Sequence, residues 1–170
     1  CEGIYYSTDG GSTFAQVSGT AGKCVNKIIA DRSQSNTIYY TAGSGQYLRR
    51  VVDGSTASPT TTQMSNAAGI SAAGSGGRDI KISPDGQHLL YCSSSKVYVS
   101  NDGGNTFTDK SGTGSNLINT SGMNRIEGAV SFNKTGSNKY TMAVVMSSNG
   151  NWGGSYFSED NGVTWSQIAP

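Results

Sequence analysis

The chain has 170 residues, with twelve lysines and arginines against eleven aspartates and glutamates, a formal charge of +1, and 14% charged residues where an average globular protein has roughly 25%. Neither sign is gathered into a block, which argues against a groove that tracks nucleic-acid phosphates, and no apolar run approaches the roughly 18 to 20 residues that a membrane-spanning helix needs. Serine, glycine, threonine and asparagine together supply 79 residues, a composition that favours strands and turns over helices.

The first residue is Cys1, and no basic segment followed by an apolar one precedes the first strand-like run, so the chain reads as processed or as a fragment. Gly3–Tyr6 opens as a strand and leads into a turn at Ser7–Phe14. Three short strands follow at Lys27–Ala30, Thr37–Thr41 and Gln46–Arg49, and the same order returns at Ile80–Ser83, Leu89–Cys92 and Lys96–Val99. Ser83-Pro84-Asp85-Gly86 marks the turn between the first two of that second set. A third set comprises Ala129–Phe132, Tyr140–Val145 and Ser155–Phe157, with a Gly- and Asn-rich loop, Asn149–Gly154, before its last member. No window carries a helical period long enough to compete.

Cys1, Cys24 and Cys92 lack the paired spacing of a zinc or redox site; the preferred disulfide is Cys1 to Cys24, which leaves Cys92 over. Asn119-Thr120-Ser121 and Asn133-Lys134-Thr135 are acceptor sequences for N-glycosylation at Asn119 and Asn133. With the low charge, these features point to an extracellular or secreted setting, a lumen included. The single histidine, His88, sits in an apparent turn, Gly74-Ser75-Gly76-Gly77 lacks the remainder of a phosphate loop, and neither a metal nor any other cofactor is called for.

An internal repeat organises these strands. Ser7-Thr8-Asp9-Gly10-Gly11-Ser12-Thr13-Phe14 returns at Ser100-Asn101-Asp102-Gly103-Gly104-Asn105-Thr106-Phe107 with six of eight positions identical. Ser158-Glu159-Asp160-Asn161-Gly162-Val163-Thr164-Trp165 keeps Ser, Asp, Gly, Thr and the aromatic at the same offsets, and Val51–Thr56 keeps Asp53-Gly54 as a degenerate copy. The four aspartates are 44, 49 and 58 residues apart. Each copy reads as a hairpin corner: Asp9, Asp102 or Asp160 accepts nearby amides as in an Asx-turn, Gly11, Gly104 or Gly162 supplies a positive φ, and Phe14, Phe107 or Trp165 starts the next strand with a ring to bury.

The pattern Ser-x-Asp-x-Gly-x-Thr-aromatic resembles the Asp-box, or bacterial neuraminidase repeat, over nearly the whole chain. The resemblance implies an all-β fold, a β-propeller segment of four-stranded antiparallel blades, with a half blade at 1–20 and full blades at 21–64, 65–112 and 113–170. It also implies that the box residues, Ser7 to Phe14, Asp53, Ser100 to Phe107 and Ser158 to Trp165, are structural and lie away from the ligand face. Sialidases, xyloglucan-cleaving glycosidases, sortilins and a photosystem assembly factor share the box without sharing a function. An open stack of blades exposes apolar faces and an edge, so further blades, from this chain or another, are expected as partners.

Chemistry belongs on the opposite rim. Aligning blades on their first strands puts Asn26, Asp79 and Glu127 at equivalent positions, with Arg78 and Arg125 nearby. Asp79 and Glu127 are either a glycosidase carboxylate pair or polar residues that open strands at a solvated rim. The Arg-Ile-Pro signature of sialidases is missing. Trp152 is a candidate sugar platform or a ring packed on the next blade, and Tyr47 reads as core or rim packing. Asn26, Arg78, Arg125 and Trp152 are thus the binding candidates. The leading expectation is a non-catalytic binding or scaffolding module for a carbohydrate or protein. The alternatives are part of a glycoside hydrolase, or a subunit of an extracellular filament or coat joined by an intermolecular disulfide.

Overall fold

Short β-branched and aromatic runs between glycine- and asparagine-rich turns fold here into antiparallel meanders. The computed structural model describes residues 1–43, 48–64, 70 and 76–169. Strands β1 (Tyr5–Tyr6) and β2 (Ala15–Gln16) form a two-stranded sheet. Strands β3 (Val25–Ala30), β4 (Ile38–Ala42), β5 (Leu48–Val52) and β6 (Thr60–Gln63) form the first four-stranded sheet. The second contains β7 (Gly77–Ile82), β8 (Leu89–Ser93), β9 (Val97–Ser100) and β10 (Thr108–Asp109). The third contains β11 (Arg125–Lys134), β12 (Tyr140–Ser148), β13 (Asn151–Ser158) and β14 (Ser166–Ala169). Hydrogen-bonded neighbours follow chain order in every sheet, and no helix occurs among the described residues.

The sheets stack face to face. Ile4 and Val17 of the two-stranded layer pack with Tyr40, Ala42 and Val51 of the first full sheet. Tyr39 and Leu48 on that sheet's other face meet Ile80, Leu89, Tyr91, Tyr98 and Phe107 of the second. Leu90, Cys92, Val97 and Val99 face onward to Ile126, Met142, Val144, Met146, Tyr156 and Trp165 of the third. Strand β8 is therefore buried on both sides, which explains why Leu89–Cys92 is a continuous apolar run and not an alternating one.

The repeated turns join the third and fourth strands, and three of them share one hydrogen-bond network. The carboxylate of Asp9, Asp102 or Asp160 accepts the backbone N–H of the threonine four residues on, at 2.9 Å each time. Its other oxygen accepts that threonine's hydroxyl at 2.7, 2.6 and 2.7 Å. The leading serine hydroxyl donates to the same carboxylate and accepts the N–H of Gly11, Gly104 or Gly162. The brace thus spans four residues instead of the two of an Asx-turn. Gly11, Gly104 and Gly162 have φ of 93°, 81° and 75°.

Two expectations about these turns are corrected. Asp53 occupies the matching corner between β5 and β6, yet it is its carbonyl, not its carboxylate, that accepts the Thr56 N–H and hydroxyl, at 2.9 and 2.8 Å. The degenerate copy lacks the Ser and the Thr at the required offsets, so no brace can form. Phe14 is 65% exposed, whereas Phe107 and Trp165 are 6% and 3% exposed. Phe107 and Trp165 enter cores between full sheets; Phe14 adjoins a layer of two strands and joins none of the cores formed by the described residues.

Cys1 and Cys24 are joined in a disulfide that ties the start of the chain to the residue preceding β3. Cys92 is a buried free thiol, and burial, ahead of the Asp79 charge, pushes its pKa far up. That removes the intermolecular disulfide as an argument for assembly, because the sulfur sits between two packed sheets. Gln46 and Tyr47, and Gly74 and Ser75 of the Gly-rich lead, lie outside the described residues.

Candidate functional site

The first strands β3, β7 and β11 lie side by side along the inner edge of the stack. Each begins at the same end, so the residues opening them gather there. Asn26, Arg78, Asn124, Arg125 and Glu127 line an open depression of about 480 Å³. Arg125 and Glu127 also line an adjoining depression of about 180 Å³ that runs on to Val145, Ser147 and Trp152. At the opposite end of the same strands a third hollow is lined mainly by Ile29, Ile82, Val130 and Phe132 with Arg32 at its edge, and it is less equipped to orient a polar ligand.

Neighbouring sheets are latched through this inner edge. Asn26 donates its side-chain amide to the Gly77 carbonyl at 2.7 Å. Asp79, one sheet further on, accepts the Gly128 N–H at 2.9 Å, together with the Ile80 N–H and the Lys81 ammonium, with Lys27 3.8 Å away. A Cβ on Gly128 would come within 2.7 Å of Leu90 Cδ2, so glycine at this position lets β11 close on the second sheet. Asn26 and Asp79 thus each latch their own sheet to the next, but the register corrects their alignment: Asn26 at the β3 bulge matches Arg78 at the β7 bulge, and it is Lys27, Asp79 and Glu127 that correspond.

This geometry corrects the placement of Asp79. It is 1% exposed and committed to four neighbours, so it does not face the depression. A rim carboxylate was expected because polar residues commonly open strands in solvent; here β11 lies over it. Glu127 remains at the mouth, its Oε1 accepting Nε and Nη2 of Arg125 at 3.2 and 3.1 Å. Arg78 is exposed and makes no ion pair among the described residues.

Trp152 is also relocated. The loop expected at Asn149–Gly154 is a tight hairpin, with Asn149 and Gly150 at φ of 51° and 84° and Trp152 already in β13, opposite Ser147. Asn-Gly between two strands is a strong signal for this turn. The indole is 60% exposed at the edge of the adjoining depression. Asn124, which sequence reasoning missed, exchanges hydrogen bonds with Asn149, its Nδ2 to Asn149 Oδ1 at 2.6 Å and Asn149 N to its Oδ1 at 3.2 Å. The pair anchors the hairpin that carries Trp152 to the strand that carries Arg125. Among the described residues no group of three or more His, Cys, Asp or Glu side chains is placed to hold a metal. Asn119 and Asn133 are both exposed.

No protein-family model matches the chain, and no curated protein matches it. Among solved structures it is similar to an ancestral GH74 enzyme, with a TM-score of 0.56 and 14% identity over 86% of this chain and 18% of that one. The chain spans less than a fifth of that protein's length. The likeness is one of fold, and with the stacked meanders it defines the chain as an all-β protein of β-propeller type, built from four-stranded antiparallel blades.

Proposed function

We propose that the chain is a segment of an extracellular Asp-box propeller that acts as a binding module and takes a carbohydrate at the mouth formed by β3, β7 and β11. The observation that carries this reading is the convergence of Asn26, Arg78, Arg125 and Glu127, from three different sheets, on one depression that continues to an exposed indole. An aromatic platform beside a few fixed polar groups is the usual composition of a sugar site. The Asp-box braces of Asp9, Asp102 and Asp160 lie at the corners between third and fourth strands and serve the scaffold. A disulfide and two exposed glycan acceptors support an extracellular setting.

Glycoside hydrolysis requires two carboxylates flanking the scissile bond. Of the pair considered, only Glu127 faces the mouth, and it is held by Arg125. Partner blades are part of the proposal, because Ile168 on the third sheet and Ile28 on the first remain exposed. The test is oligosaccharide binding followed by tryptophan fluorescence and calorimetry. Trp152→Ala weakens binding about tenfold or more with an unchanged melting temperature, since the indole is exposed; unchanged affinity overturns the reading.

A further inference from the structure

The mouth is polarised, and its polarity says which sugars it takes; the step rests on the carbohydrate reading above. Arg78 and Arg125 bring two guanidiniums to a depression with one carboxylate, and a guanidinium stays charged at every physiological pH. Glu127 is matched with Arg125, through Nε and Nη2 on a single oxygen. Arg78 has no carboxylate within ion-pair distance among the described residues. Asn26 commits its Nδ2 to the Gly77 carbonyl, which leaves its Oδ1 to accept from a ligand hydroxyl. Glu127 Oε2 is likewise uncommitted, while its charge repels an anion from that side.

We infer that the mouth selects acidic saccharides, chains of uronic acid residues, with a sugar carboxylate on Arg78, hydroxyls on Asn26 Oδ1 and Glu127 Oε2, and a neighbouring ring against Trp152. The planar guanidinium suits a planar carboxylate through two parallel hydrogen bonds, whereas a neutral sugar leaves that fork unmatched.

The experiment titrates the full chain with tetrasaccharides of galacturonic, glucuronic and mannuronic acid, each beside its carboxyl-reduced neutral counterpart, at low salt and in 1 M NaCl. The expected result is that at least one acidic tetrasaccharide binds ten times or more tighter than its neutral partner, and that the preference shrinks at high salt. Arg78→Met abolishes the preference and leaves the melting temperature unchanged, while Trp152→Ala weakens acidic and neutral ligands alike. Equal affinity for acidic and neutral forms overturns the inference and leaves the carbohydrate reading standing. Binding by none of the six overturns both. An acidic preference that survives in Arg78→Met overturns the assignment of the carboxylate to Arg78.

Discussion

The smallest unit that explains this protein is one side chain, the aspartate of the repeated turn. Asp9 is held below the ordinary carboxylate range, first by the Thr13 N–H and then by the Thr13 and Ser7 hydroxyls. At Asp102 and Asp160 partial burial pushes the other way but is outweighed by the matching threonine and serine bonds, so both are lowered as well. Asp85 is lowered to about 2, burial again being outweighed, there by Ser83, the Gln87 N–H and Lys134. Groups whose pKa falls on folding contribute stability above the unfolded value of about 4, and that stability is lost as pH drops through the folded values. Unfolding free energy measured in urea should therefore hold steady from pH 7 to pH 5 and fall steadily below pH 4. In Asp102→Asn that fall should be shallower and the stability at pH 7 lower. The glycine two residues on separates the copies. A Cβ on Gly162 would meet Val99 and Met142 at 2.8 and 2.9 Å, whereas one on Gly11 meets nothing closer than Phe14 at 3.9 Å. Both lie at positive φ, so Gly11→Ala should cost about 1 kcal/mol and Gly162→Ala about 2 to 3 kcal/mol, read from chemical denaturation.

At the scale of elements, the inner strands are held in order by side chains that cross from one sheet to the next. Asp79 is the strongest such crossing, because a buried carboxylate with an ammonium and two backbone donors leaves those donors stranded when it is removed. Asp79→Ala should lower stability by about 3 kcal/mol. Oligosaccharide affinity per folded molecule should be retained, since the side chain does not line the mouth; a selective loss of binding at unchanged stability would instead make Asp79 a site residue. The close approach at Gly128 predicts a related effect from the opposite strand: Gly128→Ala should cost about 2 kcal/mol by pressing on Leu90. The hairpin at Asn149-Gly150 shows an element that composition alone concealed. Its Asn-Gly pair was legible as a turn, but a stretch so rich in glycine and asparagine reads as loop until the pairing of Ser147 with Trp152 is seen.

Across the whole molecule, stability is distributed along a stack and is weakest at the two-stranded end. There Ile4 and Val17 give only a small core, and the Cys1–Cys24 disulfide supplements it. Closing a loop of 23 residues is worth about 3 kcal/mol, so reduction should lower the melting temperature by about 6 to 12 °C. Native alkylation should leave Cys92 unmodified while the same reagent labels it in denaturant, because its sulfur lies between the second and third sheets.

The amino-acid order by itself determined the fold class and the repeated corner. Strand runs, turn residues and a fixed Ser-x-Asp-x-Gly-x-Thr-aromatic spacing are local properties, and hydrogen bonds within four residues need no distant partner. Aligning strand starts also brought Asn26, Asp79 and Glu127 to one end with Arg78 and Arg125, and all of these but Asp79 line the mouth, since meanders of similar length bring their first strands to one edge. Burial was decided by the tertiary structure alone. Phe14 and Phe107 share one motif, and Asp79 and Glu127 share one register, yet Phe107 and Asp79 are covered while Phe14 is exposed and Glu127 only partly buried, because coverage depends on whether a neighbouring sheet lies over that face.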